Sequence, residues 1–150
     1  MKELENRENR DLAFAVWLAS DAHLKQYSAD GEAYIMHCLR VMVKMPTTIS
    51  KTVAVLHDVV EDTDVTLDEL RDLKFKECVV SAIDALTHRQ GEHYQAYIQR
   101  VKLNSLATQV KLADLEDNIN ALRLPSFGKY EERRVGKYWR AYKELSNGLG

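Results

Sequence analysis

Interruptions are few in this chain: its 150 residues hold two prolines and six glycines. Alternation of apolar and polar residues nowhere runs long enough to make a strand. Both absences point to helices, because proline and glycine are the main breakers of a helix and period-two alternation marks a half-buried strand. Long hydrophobic runs are missing too, with nothing near the roughly 20 apolar residues that cross a bilayer. The opening residues, Met1-Lys-Glu-Leu-Glu-Asn-Arg-Glu-Asn-Arg10, are charged and lack the apolar centre of a secretory signal. The cytoplasm is therefore the expected compartment, with no membrane partner. A net charge of −2 provides no basic field for nucleic acid. Cys38 and Cys78 lack metal-type spacing, and each sits in an apolar helical pattern, which predicts two buried free thiols and no disulfide.

Helical periodicity is what the chain does have. Apolar residues make up 45% and charged residues 29%, an ordinary globular balance, and the length predicts one domain over residues 1–150. A first helix is expected over 9–26, with Leu12, Phe14, Ala15, Trp17, Leu18 and Ala22 forming its apolar face. A second is expected over 33–45 and, after Pro46, a third over 49–61. Thr66-Leu-Asp-Glu69 is a capping box that starts a short helix ending near Leu73. Further helices are expected over 77–87, 93–103, 105–122 and 130–145, the last of them basic and aromatic. The predicted fold class is all-α, a compact bundle of about seven to eight helices.

Chemistry concentrates in Val53-Ala-Val-Leu-His57-Asp58-Val-Val-Glu61-Asp62-Thr63-Asp64. Helical spacing stacks His57 with Glu61 and Asp58 with Asp62, which gathers an imidazole and three carboxylates in one small volume. Carboxylates so close repel one another unless a cation sits among them or some are protonated. His37, in the middle of the second helix, reads as a satisfied core histidine or as a ligand. Asp114, deep in an apolar helical run, needs a cation, an arginine or capping donors. His23 stands near a helix end, where histidine favours the dipole. Together His37, His57, Asp58 and Asp114 suit one divalent ion such as Mn²⁺, Fe²⁺ or Zn²⁺.

The order His37, His57-Asp58, Asp114 resembles the H…HD…D pattern of the HD-domain metal-dependent phosphohydrolases. Gly31-Glu-Ala-Tyr-Ile-Met-His37, Leu56-His-Asp-Val-Val-Glu-Asp-Thr63, Thr66-Leu-Asp-Glu-Leu70 and Val110-Lys-Leu-Ala-Asp114 are similar to the Rel/SpoT-type (p)ppGpp hydrolase branch and its stand-alone relatives, over about residues 10–145. The resemblance implies an HD-domain helical bundle in which His37, His57, Asp58 and Asp114 hold one metal, commonly manganese. It implies that Glu61 and Asp62 position or deprotonate the attacking water. The substrate it implies is a small nucleotide, guanosine 3′,5′-bis(diphosphate), cleaved at the 3′-pyrophosphate.

This sequence departs from the branch at Ser28-Ala29-Asp30-Gly31, where basic residues usually help to hold the nucleotide. Lys25 either takes their place or is a snorkelling surface lysine. Lys111, one turn before Asp114, either meets phosphate or faces solvent, and Asn118, one turn after it, is placed to reach the site. Tyr94 and Tyr97 line a base pocket or belong to the core. The altered loop motivates a second reading, hydrolysis of a phosphate bond in another nucleotide. A third is a non-catalytic module that binds metal or nucleotide. Oligomeric state is not legible in the sequence.

Overall fold

The computed structural model describes residues 1–147, apart from the side chain of Ala121; residues 148–150 of the expected 1–150 domain lie outside it. Among the described residues nine α-helices run in order: α1 (Lys2–Ala22), α2 (Ile35–Val43), α3 (Thr48–Leu56), α4 (Val59–Asp62), α5 (Leu67–Asp72), α6 (Glu77–Leu86), α7 (Tyr94–Lys102), α8 (Ser105–Ile119) and α9 (Lys129–Ser146). A single 3-10 turn, Ala121–Arg123, precedes α9, and no strand forms among the described residues. The all-α expectation holds. One helix more than expected arises because the stretch predicted as continuous over 49–61 breaks at His57-Asp58.

The fold is assembled around α3. Thr47 caps it, accepting from the Ser50 N–H at 3.1 Å while the Ser50 hydroxyl accepts from the Thr47 N–H at 3.1 Å. Thr52, Val53, Ala54, Val55 and Leu56 are all buried, so the C-terminal half of α3 is covered around its whole circumference, as in a central helix. It touches α1, α2, α6 and α8. Its β-branched residues are mediocre helix formers, and burial overrides that weak preference. On α1 the face turned to α3 consists of Ala15 and Ala19, both fully buried. Small side chains let two helices approach closely. Phe14 and Trp17, expected on that face, are displaced to its flank, where Trp17 is exposed and stacks on Phe14 at 5.4 Å.

The break after α3 has a local cause. His57 Nδ1–H donates to the Ala54 carbonyl at 2.7 Å. In a continuing helix that carbonyl would accept from the backbone N–H of Asp58, four residues on. The side chain takes the acceptor, and the chain turns before α4 begins. Helical pairing resumes at once, with Asp62 N–H donating to the Asp58 carbonyl at 2.9 Å.

Elsewhere the expected elements stand with shifted ends. Thr66 forms the expected capping box with Glu69. Asn104 caps α8, its side chain accepting from Ala107 N–H at 2.9 Å. Cys38 is a buried free thiol, as expected, and burial pushes it up to about 12. Cys78 is free but exposed, contrary to expectation: it lies on the outer side of α6, whose buried face is Val79, Val80, Ala82, Ile83 and Leu86.

Arg100 of α7 ties off the end of α6. Its guanidinium donates to the carbonyls of Asp84, Ala85 and Thr87 at 3.0, 3.1 and 2.8 Å, and to Glu92 through Nε and Nη2 at 2.9 and 2.8 Å. The last carbonyls of a helix lack the usual N–H donors, and the guanidinium adds to the bond that Asp84 accepts from Thr87 N–H at 3.2 Å. Arg100→Leu keeps the apolar stem and removes the donors, and is expected to cost about 2–3 kcal/mol in urea unfolding. A loss under about 0.5 kcal/mol, the level of an ordinary surface change, would show that water replaces the guanidinium there.

Candidate metal centre

Three helices meet where the chemistry-bearing residues were expected. His37 comes from α2, His57 from the end of α3, Asp58 from the break and Asp114 from α8. His37, His57 and Asp114 are 4%, 2% and 3% exposed, too little for water to satisfy them. His37 Nε2 lies 3.0 Å from Asp114 Oδ1 and 3.8 Å from Asp58 Oδ2. His57 Nε2 lies 2.9 Å from Asp58 Oδ2 and 3.5 Å from Asp114 Oδ1. The four side chains thus turn their nitrogens and oxygens toward one small volume.

The opposite nitrogen of each ring determines what faces that volume. His57 Nδ1 must carry its proton to bond the Ala54 carbonyl, and His37 Nδ1–H donates to Asp117 Oδ2 at 2.7 Å. In the neutral rings each Nε2 is then a lone pair, and neither makes a directed hydrogen bond although both are buried. Two orphaned imidazole lone pairs facing two carboxylates form a donor set for a cation. A divalent ion fits these residues: nitrogen and oxygen donors, tautomers fixed by bonds at the far ring nitrogen, and anionic partners to balance charge.

Charge in the cluster calls for the same thing. Burial alone would lower the basicity of His57, but Asp58 and Asp114 beside it raise it well above the ordinary value. His37 is likewise raised, by Asp114 and Asp117, against the effect of burial. Asp58 is held down to about 2 despite desolvation, chiefly by His57. Asp114 is held well below the carboxylate range despite desolvation, chiefly by Lys111. The carboxylates stay ionised and draw in positive charge, whether protons or a metal.

Glu61 and Asp62 stand at the exposed rim. One ligand-type oxygen from each lies within 4.8 Å of the others' and of Asp58's, so the acidic pair borders the buried cluster. His88 N–H donates to Glu61 Oε1 at 2.6 Å, and the Gln26 amide donates to the Asp62 carbonyl at 2.8 Å. Desolvation and the neighbouring charges of Asp58 and Glu61 lift the Asp62 carboxyl to about 6. Glu61 is raised as well, by desolvation and Asp58.

The four expected substrate contacts fall differently. Lys111 faces neither solvent nor an open pocket: its ammonium donates to Asp114 Oδ2 at 2.7 Å and lies over the Tyr97 ring. Asn118 donates to Asp114 Oδ1 at 2.7 Å and also lines a pocket of about 220 Å³ beside the cluster. Tyr94 is half-buried against His88 and Tyr97, with its hydroxyl buried and unpaired. Tyr97 belongs to the core, its hydroxyl donating to the Leu86 carbonyl at 2.7 Å. Lys25 is exposed on the turn after α1 and lines none of the pockets beside the cluster.

Several contributors lie outside the expected set. Tyr34 O–H donates to Asp58 Oδ2 at 2.6 Å. Asp117 holds His37 and is itself gripped by Arg40 Nε at 2.8 Å and Arg123 Nη1 at 3.0 Å. Its position three residues after Asp114, hence on the same helix face, was the available signal. Arg123 and Arg134 line the pocket, and nothing local in the sequence singles out either one. His23 caps α1, as its position near a helix end suggested, but is buried: Nδ1–H donates to Gln26 at 2.8 Å and Nε2 has no partner. A larger groove of about 650 Å³ is also lined by Asp62, together with Asp21, Asp64, Glu69 and Asp72, an acidic lining that disfavours a phosphorylated ligand.

No family model matches the chain. It is 29% identical over 148 residues to a guanosine-3′,5′-bis(diphosphate) 3′-pyrophosphohydrolase of Aquifex aeolicus, an alignment covering 88% of this chain and 20% of the relative. It is 30% identical over 152 residues to the bifunctional (p)ppGpp synthase/hydrolase SpoT of Escherichia coli (strain K12), covering 91% of this chain and 21% of the relative. The chain therefore spans about a fifth of the length of the curated relatives it matches. A solved structure, described as a metazoan ortholog of SpoT that hydrolyzes ppGpp and plays a role in starvation responses, superposes with a TM-score of 0.75 at 23% identity. That match covers 93% of this chain and 85% of the other, and it shows a shared fold. Over most of its length the chain is thus similar to Rel/SpoT-type (p)ppGpp hydrolases, and it shares the fold of the SpoT ortholog.

Proposed function

We propose that this domain is a metal-dependent phosphohydrolase that removes the 3′-pyrophosphate from a guanosine 3′,5′-bis(diphosphate)-type nucleotide. The observation that carries the metal-dependent hydrolysis is the pair of buried, unpaired imidazole nitrogens facing Asp58 and Asp114 beside the exposed Glu61-Asp62 pair. The names of the similar proteins supply the nucleotide. His37, His57, Asp58 and Asp114 are the proposed ligands, and manganese is the proposed ion, with Fe²⁺ or Zn²⁺ also suited to the donor set.

A divalent cation held there supplies Lewis acidity, which makes water a nucleophile near neutral pH and draws charge from a phosphoryl oxygen. The protein's own groups do the rest. Glu61, held by the His88 N–H, and Asp62 accept the proton that the attacking water loses. Lys111 and Asn118 grip the two oxygens of Asp114 and keep it from rotating. Tyr34 does the same for Asp58. Arg134, whose only polar partner among the described residues is the Tyr138 hydroxyl at 3.3 Å, faces the pocket as a cation for phosphate. Hydrolysis of a phosphate bond in another nucleotide is the second reading, favoured by the Ser28-Ala29-Asp30 loop, which carries no basic residue.

The direct test is pyrophosphate release from guanosine 3′,5′-bis(diphosphate) with Mn²⁺ and with a chelator. Release only with metal is expected; orthophosphate from a different nucleotide would move the substrate, and silence across a nucleotide panel would leave a binding module. Glu61→Gln combined with Asp62→Asn is expected to cut turnover about 10²–10⁴-fold while calorimetric Mn²⁺ binding persists. Loss of binding as well would reassign the pair to holding the ion.

Asp117→Asn keeps the shape but weakens the acceptor for His37 Nδ1–H. It is expected to lower Mn²⁺ affinity by about 10–100-fold, read by calorimetry, and unchanged affinity would sink that role. Metal binding must also displace protons. The raised imidazoles mean that the metal-free fold gains stability from bound protons at low pH and loses it as pH rises through the raised values. Mn²⁺ affinity is expected to climb with pH over that same window, with proton release seen by calorimetry in buffers of different ionisation enthalpy. A pH-independent affinity would contradict it.

A further inference from the structure

The pocket beside the cluster runs from His37 and Tyr34, which touch it, out to Asp30 and Arg123. A substrate with its scissile phosphate at the cluster extends its other end toward that outer wall. Two arginines stand in or behind the wall, and both are paired with carboxylates. Arg123 donates to Asp117 at 3.0 Å, to Glu32 at 2.9 Å and to Asp30 at 3.1 Å. Arg40 donates to Asp117 at 2.8 Å and to Glu32 at 2.7 Å. The network therefore sets two cations against three carboxylates. Arg134 is the one pocket-lining cation without an ion pair among the described residues.

Asp30 is fixed in place. Its loop is clamped by Ser28 N–H to the Glu32 carbonyl at 2.8 Å and Gly31 N–H to the Ser28 carbonyl at 2.9 Å. Gly31 takes φ +83°, a conformation side chains rarely adopt, and this allows the tight return. Asp30 Oδ1 accepts from Glu32 N–H at 3.3 Å while Oδ2 accepts from Arg123. Slight desolvation acts against these bonds, but the Glu32 N–H and Arg123 hold the carboxyl below its usual range, so it is charged at neutral pH.

We propose that Asp30 sets substrate specificity: by occupying Arg123 and adding its own negative charge, it selects a nucleotide with a single phosphate at the end remote from the cluster over one with a diphosphate there. This rests on the hydrolase reading above and narrows its substrate. A remote diphosphate finds one open guanidinium, Arg134, and a carboxylate beside it. A remote monophosphate needs no more than Arg134. Discrimination by placing like charge against the wrong ligand is a common source of specificity.

The test compares guanosine 3′,5′-bis(diphosphate) with its analogue bearing one 5′-phosphate, with Mn²⁺, on the parent and on Asp30→Asn. Asparagine keeps the acceptor for Glu32 N–H and removes both the charge and the acceptor for Arg123, and Asp30→Ser serves if Asp30→Asn lowers the melting temperature. In the parent kcat/KM is expected to favour the analogue, and in the variant the ratio is expected to shift about tenfold toward the diphosphate. Parent preference for the diphosphate, or an unmoved ratio, overturns the proposal while leaving hydrolysis standing. If the parent cleaves neither, the hydrolase reading fails and calorimetric binding of the same pair decides Asp30. A matching shift in binding supports the role, and no shift or no binding ends it.

Discussion

The hydrogen bond from His57 Nδ1 to the Ala54 carbonyl is the interaction on which the rest of this structure depends. It takes the acceptor that a longer helix would need and so ends α3. It also fixes the ring's tautomer, leaving Nε2 as a lone pair aimed away from the helix. One contact thus settles where the central helix stops and which atom is offered to the interior. The break it makes lets His57 and Asp58 face the same volume, which adjacent residues of a continuous helix do not.

Around that point the bundle places anionic groups where water cannot reach them, then balances them in layers. Asp114 is countered by Lys111, Asn118 and the two imidazoles. Asp117, three residues on, ties His37 to Arg40 and Arg123 and so reaches out to the pocket wall. Buried charges without such partners would neutralise or destabilise the fold. The His37 and His57 Nε2 atoms remain unsatisfied, as do His23 Nε2 and the Tyr94 hydroxyl among the described residues. The His37 and His57 nitrogens differ from the other two in facing the carboxylates of Asp114 and Asp58, an arrangement organised for a cation.

Much of the fold and of the site was legible beforehand, for identifiable reasons. Thr66 and Glu69 announced a helix start because capping chemistry is local, and the structure has that box. The spacing of His57, Asp58, Glu61 and Asp62 announced an acidic cluster for the same reason. Phe14 and Trp17 misled, because periodicity marks an apolar stripe without telling which part of it meets the neighbouring helix. Cys78 misled likewise, sitting at the edge of the stripe on α6. Lys111 was placed correctly along α8, but its partner depended on where Asp114 would point. Arg123 gave no local signal, and Arg134 was legible only as part of a basic last helix, since a cation at a pocket wall looks in sequence like any surface arginine.

By itself the sequence determined which residues could form helices, where several of those helices are capped, and which side chains carry metal-type and acid–base chemistry. These follow from interactions within about one turn of the chain, where spacing alone dictates proximity. Tertiary structure decided what each group meets. His37 and Asp117 lie 80 residues apart and share a hydrogen bond, and Arg123 reaches Asp30 across 93 residues. Contacts of that range depend on how α2, α3 and α8 pack on one another. So the tautomers, the unpaired nitrogens and the charge of the pocket wall are properties of the assembled bundle.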